Sequence, residues 1–150
     1  MKKIIIAVLS VLAGVAIIIG LAKVFSPGSY ANTEDFHFSM EKDSLIGCIE
    51  MVKNERHYVP PEDLQLNDGY GKSPDYWYHI YMFVDGVIFH LGIARIYGED
   101  KTTLALMNIK DLQKDASKWY RMDELDRADR KQIMDLYRHH ILDNLHVLYD

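Results

Sequence analysis

The dipeptide Asp85-Gly86 constrains this chain more than any other feature, because it lies between two apolar runs, Tyr76–Val84 and Val87–Tyr97. A two-residue hairpin loop of type I′ needs φ > 0 at both central positions, and Asp-Gly is among the strongest sequence signals for it. Gly98-Glu99-Asp100-Lys101 then predicts a second turn, into a third run, Thr102–Asn108. The stretch 76–108 reads as a three-stranded antiparallel meander.

The loop length also sets the register, and with it the face on which each side chain stands. Val84 should pair with Val87, Met82 with Phe89, Ile80 with Leu91 and Tyr78 with Ile93. If the second turn closes over four residues, Leu106 falls beside Ile93 and Leu104 beside Arg95. That face is almost wholly apolar and is the expected core.

The opposite face pairs Phe83 with Ile88, Tyr81 with His90, His79 with Gly92 and Trp77 with Ala94, with Ala105 beside Ala94 and Met107 beside Gly92. Small residues flanked by amphipathic aromatics make a shallow depression with polar edges, the chemistry of many recognition surfaces. The candidate binding residues are therefore Trp77, His79, Tyr81, His90, Gly92, Ala94 and Ala105. On this reading Trp77 stays partly exposed, and its removal weakens partner binding while leaving stability unchanged. The competing reading is a covering element, such as a helix at 43–56, that packs on the small residues and buries Trp77.

Ahead of the meander, Ile4–Ala22 is nineteen residues without a charge. A membrane-spanning helix needs about 20 apolar residues, and Lys2-Lys3 in front of the run place the N-terminus in the cytoplasm. The alternative is a cleaved signal peptide, since Ser29-Tyr30-Ala31 offers small residues where a signal peptidase reads. Its apolar core is longer than the usual 7–15 residues, which favours the retained anchor. Val15 follows Leu12-Ala13-Gly14 where a lipoprotein signal requires cysteine, so lipidation is excluded.

Asp35–Met40 alternates with period two and predicts a short strand with Phe36, Phe38 and Met40 inward. From Asp43 the period changes. Leu45, Cys48, Ile49 and Val52 form one helical stripe to about Arg56, although Gly47 weakens it and leaves a hairpin turning at 41–44 as the alternative. Pro60-Pro61 ends that element. Asp63, Asn67 and Asp68 invite a calcium loop, but Gln65 stands at its third position and Asp68 where glycine is required. Ile109–Met122 reads as a turn of helix and a docked loop. The last helix, about 123–148, is expected to start at Asp123 as N-cap, with Glu124, Asp126 and Asp129 near its positive end. Its stripe is Ile133, Tyr137, Ile141, Leu145 and Leu148, into which His140 and Asn144 also fall.

Charge narrows the partners. Lys2, Lys3 and Lys23 are three of seventeen basic residues, which leaves fourteen against twenty-two acidic ones and a net charge of −8 for the rest. Such a domain repels phosphate backbones, so nucleic acid is excluded, and a protein partner or basic ligand is expected. The single cysteine, Cys48, permits no internal disulfide and sits on an apolar stripe. Nucleophile elbows, phosphate-binding glycine loops and dinucleotide fingerprints are absent from the sequence. His79 and His90 share a sheet face, but zinc takes three or four protein ligands; with no metal-binding motif, neither a metal nor a cofactor is assigned.

Together these readings predict an α+β fold. An N-terminal transmembrane helix precedes an antiparallel sheet of three to five strands, which packs on the C-terminal helix and a second helix at about 43–56. Residues 1–25 form the anchor or signal segment, 26–34 a linker and 35–150 the extracytoplasmic domain. The expected function is a membrane-anchored binding module of immunity, inhibitor or envelope-accessory type. It would sit as a single-pass protein in the inner or plasma membrane, or be secreted to the periplasm after cleavage following Ala31. The alternative is a small hydrolase or metal-dependent enzyme built on His79, His90 and His140, which requires those side chains to converge.

Overall fold

The computed structural model of the chain describes residues 33–71, 76–96, 98 and 100–146. The expected anchor or signal segment, most of the linker, and Leu148 at the expected end of the last helix lie outside these residues. Among the described residues no helix is long and apolar enough to cross a membrane. The strands are β1 (Glu34–Phe38), β2 (Gly69–Tyr70), β3 (Tyr78–Val84), β4 (Val87–Arg95) and β5 (Thr102–Asp111). The helices are α1 (Lys42–Glu55), α2 (Arg127–Tyr137) and α3 (Asp143–His146), with a π-helical segment, Arg138–Leu142, joining the last two. All strand pairs are antiparallel, in the order β1-β5-β4-β3-β2, so the fold is α+β.

Asp85 and Gly86 take φ values of +48° and +87°, as the hairpin loop requires. Val84 faces Val87, Met82 faces Phe89, Ile80 faces Leu91 and Tyr78 faces Ile93, as expected. The third strand differs from expectation. Ile96 N–H bonds to the Lys101 carbonyl at 3.0 Å and Arg95 pairs with Thr102, so the turn is centred one residue earlier than the expected 98–101. Leu104 consequently faces Ile93 and Leu106 faces Leu91, a shift of two residues that keeps both on the core face. Ala105 faces Gly92, and Thr103 takes the place expected for Ala105 opposite Ala94. A bulge between His90 and Leu91 then leaves Met107 as the extra residue and brings Ile109 opposite Phe89. The strand continues to Asp111, where the sequence had suggested a turn of helix.

α1 carries its stripe as expected, with Leu45, Cys48, Ile49 and Val52 buried and Gly47 exposed in open space. It rules out the hairpin alternative for this segment. His57, at φ +57°, closes the helix, and the Tyr58 N–H returns to the Lys53 carbonyl at 2.8 Å. The Tyr58 carbonyl then accepts from Phe83 N at 2.8 Å, which docks the segment on the outer edge of β3. Further along that edge the Asp68 carboxylate accepts from Tyr81 N and pairs with Lys53, so it is committed to protein partners.

The last helix begins later than expected. Asp123 lies in a 3-10 turn (Met122–Glu124), and Asp126 is the N-cap, its carboxylate accepting from Ala128 N and Asp129 N, both at 2.9 Å. These N–H groups, Asp129's foremost, hold the Asp126 carboxyl below the usual carboxylate range. Ile133, Tyr137, Ile141, Leu142 and Leu145 bury against the sheet in the same cluster as α1. The π segment widens the helix by one residue, and His140 stays half-exposed at the edge of that stripe.

Tyr137 is fully buried, and its hydroxyl has no hydrogen-bond partner among the described residues. Burial, assisted by the charge of Asp35, pushes the phenol far above its ordinary value. An unpaired buried hydroxyl costs about 1–3 kcal/mol. Tyr137→Phe is accordingly expected to stabilise the fold by about 1 kcal/mol in urea unfolding, and a loss of stability would show that the hydroxyl is satisfied.

Candidate functional site

The sheet face opposite the helices carries the residues singled out from the sequence, and it divides into a closed half and an accessible half. Trp77, Ala94, Ala105 and Met107 make a small buried cluster of their own. A Cβ built on Gly92 would lie 2.1 Å from Met107 Cε and 2.9 Å from Trp77 Cε3, so both side chains lie directly on this glycine. The depression expected between the aromatics is filled by Trp77 and Met107. Trp77 is only 7 % exposed, which corrects the expectation of a partly open ring. No described helix covers it, since α1 and α2 belong to the core on the other face. β3 also starts at Tyr78, two residues later than the apolar run suggested, so Trp77 lies just outside the ladder.

His79, Tyr81 and His90 form the accessible half, each half-exposed. Tyr81 faces His90 across the β3–β4 ladder, and the two rings stack with centroids 4.6 Å apart at 15°. His79, diagonal to His90, brings its Nδ1 to 2.8 Å from His90 Nε2. Asn108, opposite His90 because of the bulge, places its amide Nδ2 3.4 Å from His90 Nδ1. With that N–H donated to Nδ1, the His90 proton sits on Nε2 and is shared with His79 Nδ1. Trp119 completes the strip, its ring 6.1 Å from Tyr81 and 5.9 Å from His90, with Lys110 Nζ 5.2 Å above it. The sequence reading placed Trp119 in a docked loop without a role; the adjacent aromatics Trp119-Tyr120 in a polar stretch were the available signal.

Of the three histidines of the enzyme alternative, His79 and His90 share one network and His140 stands in another. His140 Nδ1 is 2.8 Å from Tyr58 Oη, and its Nε2 is 3.7 Å from an Asp85 carboxylate oxygen. Burial pushes the Tyr58 phenol up; Arg56 pulls it back and Asp85 adds to the rise. Asn144 donates to the His140 carbonyl at 2.8 Å and accepts from Arg56 Nη2 at 3.1 Å. His37, on β1, bonds Thr103 Oγ1 at 3.2 Å. Among the described residues no group of three or more His, Cys, Asp or Glu side chains is placed to hold a metal ion.

A cleft of about 330 Å³ opens between the hairpin turn, the end of β5 and the start of α2. Its apolar lining includes Val87, Ile109, Leu125, Ile133 and Leu136. The carboxylates of Asp85, Asp111, Glu124, Asp126 and Asp129 line it too, against one cation, Lys114, which pairs with Asp129. Local bonds build this wall. Asp111 accepts from Gln113 N and Lys114 N at 2.9 and 3.1 Å, which turns the chain at the end of β5. Leu112 N bonds the Gly86 carbonyl at 2.9 Å, and Gln113 Nε2 bonds the Asp85 carbonyl at 3.3 Å. Gly86 holds φ +87°, which glycine adopts without strain, and a Cβ there would lie 2.4 Å from Gln113 Nε2. Sequence reasoning assigned Glu124, Asp126 and Asp129 to the helix dipole and did not join them to Asp85 and Asp111. No family model, curated protein or solved structure matches the chain.

Proposed function

We propose that the protein is a binding module whose acidic cleft receives a basic group, a lysine or arginine side chain of a protein partner or a small organic amine. The observation that carries this reading is a cleft of about 330 Å³ that combines an apolar floor with five carboxylates against one lysine. A concave, mostly preformed pocket with a few convergent polar groups is the default ligand site of a protein, and this volume falls within the usual range of about 300–1,000 Å³. The apolar floor suits the methylene stem of a long cationic side chain, and the rim suits its charged head. Asp126, held ionised by the helix N–H groups, keeps negative charge in the rim. The uncharged run Ile4–Ala22 supports display of this domain outside the cytoplasm from a single membrane anchor. The role is then recognition, of an inhibitor or envelope-accessory kind.

Titration of the full chain with spermidine and with a hexalysine peptide at low ionic strength tests this. Asp85→Asn keeps a favoured hairpin turn, since Asn-Gly serves type I′ as well as Asp-Gly. Combined with Asp129→Asn it removes two rim charges and is expected to weaken binding about tenfold, the equivalent of roughly 1.4 kcal/mol. Binding should also weaken as salt rises, because ion pairing at a partly open site is screened. Hexalysine binding that is absent at low salt, or unchanged in the double variant, would reject the cleft as the site.

A further inference from the structure

We propose that His79 and His90 form a two-imidazole site for a divalent ion of the copper, nickel and zinc class, on the sheet face opposite the helices and independent of the acidic cleft. His79 Nδ1 and His90 Nε2 lie 2.8 Å apart in a hydrogen bond, so two imidazole nitrogens are already gathered at one place. The rings project from β3 and β4, paired strands in the interior of the five-stranded sheet, so their backbones are held in place. Tyr81 stacked on His90 restricts the orientation of that ring.

An ion held at about 2.0–2.1 Å from each nitrogen at a tetrahedral angle requires the nitrogens roughly 3.3 Å apart. The nitrogens therefore separate by about half an ångström, and both half-exposed rings swing off the line between them so that each nitrogen faces the ion. Asn108 makes the change of tautomer feasible. As drawn by the hydrogen bonds, its amide N–H serves a bare His90 Nδ1. With an ion at Nε2, the His90 proton moves to Nδ1 and is donated to the Asn108 amide oxygen after the amide turns over. This is the carbonyl partner that metal-bound histidines commonly have. His79 binds through Nδ1 and keeps its proton on Nε2. Between two neutral rings and the ion-bound pair the count of protons is unchanged.

Two imidazoles are fewer than the three or four protein ligands zinc normally takes, and among the described residues no third His, Cys, Asp or Glu joins them, so affinity falls below that of a closed structural zinc site. Imidazole donors rank divalent ions with copper(II) above nickel and zinc. Magnesium and calcium, which take oxygen ligands, are not bound here.

The test adds copper(II), zinc or magnesium chloride to the full chain and follows the thermal melt and the histidine ring signals by NMR. Zinc is expected to raise the melting temperature with one equivalent bound and to shift the ring signals of His79 and His90 together, while magnesium does neither. His79→Ala and His90→Ala should each weaken zinc binding at least tenfold, and His140→Ala should leave it unchanged. Zinc that shifts other histidines instead, or whose binding survives both sheet substitutions, overturns the proposal. So does the absence of binding at millimolar zinc. Should a variant fail to fold, the ring signals of the unmodified chain decide alone.

Discussion

Phe89→Ala is expected to destabilise the fold by about 3–5 kcal/mol, the range for removing a fully buried aromatic ring. Phe89 is 0 % exposed and stands on the core face of β4, opposite Met82 on one side and Ile109 on the other. Its ring centroid lies 5.7 Å from that of Tyr137, which in turn is 5.5 Å from Phe36, so one aromatic chain links the central sheet, α2 and the edge strand β1. Truncation would remove the transfer energy of the ring and leave a cavity between the sheet and a helix that other side chains hold in place. Leu91→Ala, one pleat along on the same face, is expected to lose about 2–5 kcal/mol. Urea unfolding checks both, and a Phe89→Ala loss below about 1 kcal/mol would show that the site collapses without a cavity.

Trp77→Ala is expected to cost about 3 kcal/mol, at the low end for a buried tryptophan. This reverses the sequence expectation of an exposed binding anchor with little effect on stability. Trp77 and Met107 lie on the Gly92 backbone with Ala94 and Ala105 beneath, and the small residues permit that close approach. Without the indole, Met107 alone would have to shield the strip, and apolar backbone and methyl surface would meet water. Gly92→Val probes the same packing from below, because its first carbon would overlap both Met107 and Trp77. A Trp77→Ala variant that melts like the unmodified chain would return the ring to the surface and reopen the strip as a recognition face.

Local rules made much of the architecture legible. Two positive-φ positions at Asp85-Gly86 set the β3–β4 register, and period two then assigned every side chain of that hairpin to its face. The stripe of Leu45, Cys48, Ile49 and Val52 similarly announced α1 and its buried side. Both signals act between residues a few positions apart, where hydrogen-bond geometry leaves little choice. The first turn of the last helix was less legible because Asp123 and Asp126 are both good caps. The structure gives Asp123 to the Arg121 side chain in a 3-10 turn and leaves Asp126 to cap α2.

What only the tertiary structure decided concerns elements that meet through long loops. The turn between β4 and β5 is centred one residue earlier than its turn residues suggested, and the bulge at Met107 brings Ile109 onto the core face opposite Phe89. Trp77 folded over Gly92 because the ladder begins at Tyr78, which frees the residue before it to cover the small strip. Convergence of His79 with His90 was readable from the register, whereas the Asn108 partner depends on the bulge. The acidic cleft combines carboxylates from the hairpin turn, the end of β5 and the start of α2. By itself the sequence determined the hairpin, its two faces and the stripe of α1, through contacts whose geometry is local. The cleft and the covered strip arose from how separate elements pack, since a side chain's neighbours across a long loop are chosen by burial and shape and no short-range pattern records them.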